Sequence, residues 1–329
     1  MRLLAALLLA LAPVLAPVLA AILASGPAAA NPTRWAAEWP DTDFSRSAIA
    51  DWSEIVSGGP PRDGIPAIDA PAFRPVAEEE RLAPREPVIA LEMEGAVARA
   101  YPVRYLMWHE IVNDVVGGVP VAVTFCPLCN SALTFDRRTE AGTLTFGVSG
   151  KLRHSDMIMF DRETESWWQQ ARGEAIVGEM TGTALDAVPT WMESWAQFAA
   201  RNPEGLVMDA PQARRAYGQN PYRRYDSADR PFLYHGEDPP HGIHPLARVV
   251  RVGDRAWTYA RLRAATPLTE AGVTLSWTEG QASALDTAEI GQGREVGTVR
   301  VRDAAGRDVA HDVMFAFAFH ALYPEGRWM

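Results

Sequence analysis

Two runs of alternating apolar residues, 119–125 and 132–137, flank the pentapeptide Cys126-Pro127-Leu128-Cys129-Asn130, which holds the only two cysteines of the 329-residue chain. Alternation at period two predicts two strands. The tight connection makes them an antiparallel pair with both thiols in the turn. A redox Cys-x-x-Cys of the strand-to-helix type uses a helix N-terminus to lower the pKa of its attacking thiol. Here the second cysteine is followed by Ser131-Ala132-Leu133-Thr134-Phe135, a strand-like run, which disfavours that arrangement. The pentapeptide reads instead as a knuckle turn. Pro127 presets one backbone angle and Asn130 tolerates a left-handed conformation, so both sulfurs aim at one point. Metal binding, a disulfide or redox pair, and two packed thiols all stay open on spacing alone.

Short alternating runs separated by Gly and Pro recur along the chain. Residues 87–103 alternate about Glu94-Gly95 and predict a hairpin. Residues 102–116 predict a helix, with Pro102 at its first turn and Gly117-Gly118 as its stop. His109 falls at the border of its packed face. Thr190-x-x-Glu193 matches a capping box and predicts a helix from Trp191 to Ala200. From Ala247 onward the chain reads as antiparallel strands with glycine turns. The fold class expected is α+β, mainly antiparallel β with a few helices, in a single large domain over residues 31–329. Its β-rich C-terminal part begins near residue 247.

Residues 1–30 carry one charge, Arg2, then a long apolar run interrupted by Pro13 and Pro17, and end in Ala28-Ala29-Ala30. This is the pattern of a signal peptide cleaved after Ala30, and predicts an exported, periplasmic or extracellular protein with no stable membrane span after cleavage. An uncleaved anchor is the rival, but no basic flank follows the run. Losing Arg2 moves the formal charge from −10 to −11, which argues against nucleic acid or anionic lipid as a partner. Two cysteines cannot supply a disulfide framework, so the fold rests on an ordinary core.

For a metal, His109 is the first ligand to add to Cys126 and Cys129. His154 is the next, with Met157 and Met159 behind it as soft donors. The expected metal set is therefore Cys126, Cys129, His109 and His154, suited to zinc or copper. For a thiol enzyme, Cys126 is the nucleophile and His109 the base. Asp156, Asp161, Glu163 and Glu165 flank Trp167 and Trp168, so Asp161 and Glu165 are candidate acids of raised pKa and the indoles a candidate sugar platform. The third alternative is a noncatalytic tryptophan-rich binding protein with structural cysteines. His235, His241 and His244 sit on a Pro-Gly loop without helical register, a weak metal signal. No phosphate loop, Gly-x-Ser-x-Gly or His-Glu-x-x-His is present.

The segments GGPPRDGIPAID (58–69), RAYPVRYLMWHEIVNDVVGGVPVAVTFCPLCNSALTFDR (99–137), FGVSGKLRHSDMIMFDRETESWWQQ (146–170) and GEAIVGE (173–179) occur in this order and resemble the prokaryotic family catalogued as domain of unknown function 3179. The likeness covers residues 51–226. It implies an exported protein with one continuous domain, and no established activity. The family pattern overlays Asp63, His109, Glu110, Asn113, Asp114, Cys126, Cys129, Asp161, Trp167 and Gln169. It carries no fixed histidine at the place of His154 and not always a second cysteine, which makes Cys126 with His109 the smaller common unit.

Overall fold

The strand Val119–Cys126 is buried on both faces over most of its length, so it lies inside the molecule rather than at an edge. It pairs antiparallel with Ile111–Val116 on one side and Ser131–Asp136 on the other. Around it the computed structural model, which describes residues 32–329, sets five main sheets of three to five strands as the blades of a five-bladed β-propeller. Strand makes up 36% and helix 14%, so the mainly-β, few-helix expectation stands in outline and the propeller is its more specific form. The leader expected over residues 1–30 lies outside the described residues. Among the described residues no helix is long and apolar enough to cross a membrane.

Two expected helices are corrected. The first helix is only Val103–His109. Glu110 takes a positive φ of 59°, which ends it, and the β-branched residues that follow form the strand Ile111–Val116. Gly117 and Gly118, with φ of 59° and 84°, are the two-residue turn of a hairpin and not a helix stop. The second helix is Trp195–Arg201. Its capping box is Ser194 with Gln197, four residues beyond the expected Thr190, because Thr190–Ser194 is a buried strand paired with Pro87–Leu91. The partner strands Pro87–Leu91 and Arg99–Pro102 form the hairpin expected there.

A further hairpin positions the site. Phe146–Arg153 and Asp156–Asp161 are joined by His154 and Ser155, both with positive φ (52° and 64°). That two-residue connection matches the right-handed twist of the strands and makes Asp156 the first residue of the returning strand. Next to it, Trp167 and Trp168 are fully buried. Trp167 is met edge-on by Trp35 and Trp39 of the N-terminal segment, at centroid distances of 5.4 and 5.3 Å. These indoles are core, not an exposed sugar platform.

Because the Ser194 hydroxyl accepts from the Gln197 N–H as the N-cap half of the reciprocal cap, Ser194→Ala is expected to lower stability by about 1 kcal/mol. The check is the midpoint shift in urea unfolding. An unchanged midpoint would show that the cap contributes nothing.

Candidate functional site

Cys126 closes its strand opposite Ser131, and the intervening turn puts Asn130 in the left-handed region with φ 53°. Long-range hydrogen bonds fasten the turn. The Tyr225 hydroxyl donates to the Leu128 carbonyl at 2.8 Å, and the Phe315 N–H donates to the Cys129 carbonyl at 2.8 Å. Asp312 accepts from the Ser131 hydroxyl at 2.7 Å and from the Ala132 N–H at 3.0 Å. Burial pushes the Asp312 carboxyl up to about 6.

Both sulfurs are buried and lie 2.7 Å apart, with the thiols free. The Asp156 carboxylate joins them. One oxygen lies 2.9 Å from the Cys129 sulfur, while the other accepts from Gln169 Nε2 at 2.6 Å and from the Ala171 N–H at 3.0 Å. Cys126, Cys129 and Asp156 thus offer three ligand atoms within 4.8 Å of one another, all buried. The Ser155 carbonyl lies 3.8 and 3.9 Å from the two sulfurs.

A cavity of about 90 Å³ opens beside Cys126, walled by Glu110, Gly150, Met157 and Tyr222. Gly150 is forced by close approach, since a Cβ there would sit 2.0 Å from the Pro60 carbonyl oxygen. Glu110 is 8% exposed. Burial first, and the Asp156 charge second, push its carboxyl up to about 8, with no hydrogen bond to offset them. Burial also raises both thiols, Cys129 well above the usual range, and the acidic neighbours add to the rise. Asp156 is raised by burial against the pull of its hydrogen bonds. The region therefore gathers four weak acids raised by burial, with the Asp156 charge further disfavouring ionisation of Glu110 and of both thiols.

The two expected histidines stand outside the group. His109 is buried, but its ring nitrogens face the Pro66 carbonyl at 2.7 Å and the Tyr217 hydroxyl at 2.6 Å. It lines a separate cavity of about 580 Å³. The charges that bear on Cys126 are those of Asp156 and Glu110, not a His109 imidazole. His154 turns away from the sulfurs, 3.5 Å from Glu54, in a hollow shared with His235. Asp161 accepts from Trp168 Nε1 at 2.8 Å and from the Thr164 N–H at 2.6 Å, so it fastens the hairpin tip. Glu165 pairs with Arg62 at 2.5 Å. Met157 reaches the cavity wall, whereas Met159 is fully buried away from it.

Sequence reasoning named Asp156 only as one of several carboxylates and passed over Glu110 as a site group. The available signal was the two-residue His154-Ser155 connection between alternating runs, which fixes Asp156 at the head of a strand. Nothing local ties residue 156 to residue 129.

The architecture is that of a β-propeller with a buried dithiol–carboxylate cluster where blades meet. The chain belongs to the family described as "Protein of unknown function (DUF3179)", whose model matches residues 62–326. The match runs past the quoted motifs to include Asp312 and Phe315, so the blade that pins the cysteine turn is part of the family domain. No curated protein and no solved structure matches the chain.

Between its ordinary range near 4.5 and about 8, the Glu110 carboxyl keeps a proton in the folded protein that the unfolded chain gives up. The folded state binds more protons there, so stability falls as pH rises through that window. Glu110→Gln cannot ionise and is expected to flatten the fall in reduced, metal-free protein. Urea midpoints at about pH 5 and about pH 8 check this, since parallel profiles for the two proteins would place the ionisation elsewhere.

Proposed function

We propose that the protein is an exported metal-binding protein whose Cys126, Cys129 and Asp156 hold one soft or borderline ion, zinc or copper. The observation that carries this reading is the convergence of three buried acidic ligand atoms within 4.8 Å. Unpaired buried acids are costly, and a cation relieves that cost. Thiolate sulfur selects such ions over magnesium or calcium. Asp156 is already oriented for the task. Gln169 and Ala171 hold one of its oxygens and leave the other towards the sulfurs, as outer groups do for a ligating carboxylate. A tetrahedral ion with metal–sulfur bonds of about 2.3 Å holds two thiolates about 3.8 Å apart, so the turn opens by about 1 Å on loading. Binding releases the thiol protons, so affinity rises with pH.

A second reading rests on the sulfur separation of 2.7 Å. Closing to a disulfide of about 2.05 Å needs a smaller movement than metal loading does. Asp156 stands next to Cys129 as its proton acceptor, and two protons and two electrons leave to a partner disulfide. His109 has no part in this chemistry.

Reduced protein dialysed against zinc is expected to retain one ion per chain, with proton release on binding. Cys126→Ser should lose the ion, and Asp156→Asn should weaken it by at least about tenfold. Equal substoichiometric metal in wild type and Cys126→Ser would overturn the metal reading. A rapid, reversible Cys126–Cys129 disulfide in the same protein would then favour the redox one.

A further inference from the structure

Residues 220–235 form a loop that lies against the cysteine turn. Tyr225 donates to the Leu128 carbonyl, and the Ser155 hydroxyl donates to the Phe232 carbonyl at 2.5 Å. The outer side of this loop is a groove of about 710 Å³ lined by Leu128, Tyr222, Phe232, Arg223, Arg224 and Arg230, among others. Leu128 and Tyr222 also line the cavity beside Cys126 and Glu110, so the groove and that cavity share a wall.

Two features set this surface apart. Phe232 is 60% exposed and is the one aromatic among the large exposed hydrophobic residues described. No Asp or Glu lines the groove, and among the described residues Arg223 and Arg224 make no ion pair, while Arg230 meets Asp238. The chain as a whole has a formal charge of −10. An apolar groove with unpaired arginines on an acidic molecule is complementary to an anionic partner with apolar side chains.

We propose that this groove docks an extended acidic segment of a partner protein, bearing leucine or aromatic residues that pack against Phe232 and Tyr222. The charge excludes the other anionic surfaces. A bilayer or a nucleic acid would meet the whole negative molecule, whereas a short segment meets only the groove. The groove is open along the loop, which suits a strand of peptide rather than an enclosed small molecule. The position supplies the purpose. Buried sulfurs receive an ion at short range from a carrier, and a carrier seated in the groove lies one wall from Cys126. That purpose rests on the metal reading, but the docking does not.

The test uses the whole reduced chain and a fluorescein-labelled octapeptide of alternating Glu and Leu, with a Lys–Leu octapeptide as control, read by anisotropy. The Glu–Leu probe is expected to bind and to weaken as salt rises. Arg223→Glu with Arg224→Glu should weaken it by about tenfold or more, and Phe232→Ala by several-fold. All three positions are exposed, so unchanged urea midpoints separate this loss from unfolding. Equal binding of both probes, or undiminished binding by the double variant, would overturn the proposal. Retention on phosphatidylglycerol vesicles without binding of the Glu–Leu probe would also overturn it, and would make a membrane the occupant. Zinc content of the same variants is measured separately. Probe binding lost in the double variant of a chain that holds no zinc would sustain the docking and sink the metal reading.

Discussion

Two thiols and two carboxyls share one desolvated region, and the groups the structure lets bear on them are acidic. Each of the four is held towards its protonated form by burial, and the Asp156 charge raises the Glu110 carboxyl and both thiols further. An arrangement of this kind does not persist by its own energetics, because separated acids in water would be more stable. It persists because surrounding structure fixes each member independently. The cysteine turn is tied to Asp312 and Phe315 of the C-terminal blade, Asp156 to Gln169 of its own sheet and to Ala171 in the turn that follows, and the Glu110 carbonyl accepts from the Phe125 N–H at 2.8 Å. The Cys126–Asn130 turn and the Asp156 strand, 27 residues apart at Cys129 and Asp156, therefore meet at the sulfurs, and the C-terminal blade pins the turn from at least 180 residues away. Sites that break a local rule while their supports are complete are where function is expected.

Other buried acids of the chain are met by donors. Asp114 is also buried, yet it faces the Arg99 guanidinium and accepts from the Tyr101 hydroxyl at 2.6 Å. Asp226 is buried against Arg248 at 3.0 Å and Arg294 at 3.1 Å. Asp161 is satisfied by an indole N–H and by Thr164. Asn113 links two blades by exchanging hydrogen bonds with the Phe146 backbone at 2.8 and 3.0 Å. Several residues of the family pattern thus hold the propeller together, and their chemistry is complete. Asp156 differs, because one of its oxygens is satisfied by neutral donors and the other is left to a thiol.

What the sequence made legible was local. The strand–turn–strand around the cysteines, the left-handed Asn130 and the 87–103 hairpin follow from alternation and turn chemistry, which act over a few residues. The family was legible from long motifs. The helix expected over 102–116 failed because one residue, Glu110, reverses its backbone twist, and an apolar stripe reads alike in a helix and in a half-buried strand. The capping box at Thr190 failed for a related reason. A second box four residues on, Ser194-x-x-Gln197, was available, and strand pairing with residues 87–91 decided between them. His109 was assigned by helix stripe and family pattern, but a side chain at a helix end is placed by what packs there, here Pro66 and Tyr217. Asp156 was out of reach because its nearness to Cys129 is created by blades that close only in three dimensions.

The two chemistries open to the cysteines are in competition, and the geometry sets the terms. Metal loading requires the sulfurs to separate from 2.7 Å and both thiols to lose protons that burial and the neighbouring carboxyls hold on. Oxidation needs a smaller movement of the sulfurs but also needs a partner disulfide to take up two electrons and acceptors for two protons, and the resulting bond carries no charge into the desolvated region. Under the proposed metal reading, an ion that arrives by free diffusion must overcome both the separation of the sulfurs and the loss of the thiol protons. Delivery by a seated partner changes this balance. A carrier that offers the ion already stripped of water, beside the wall formed by Leu128 and Tyr222, presents the cation before the thiols ionise, and its charge then lowers the cost of losing those protons. If the proposed metal and docking readings both hold, the buried acids slow unassisted loading and the basic, apolar groove next to them is the place from which a carrier assists it.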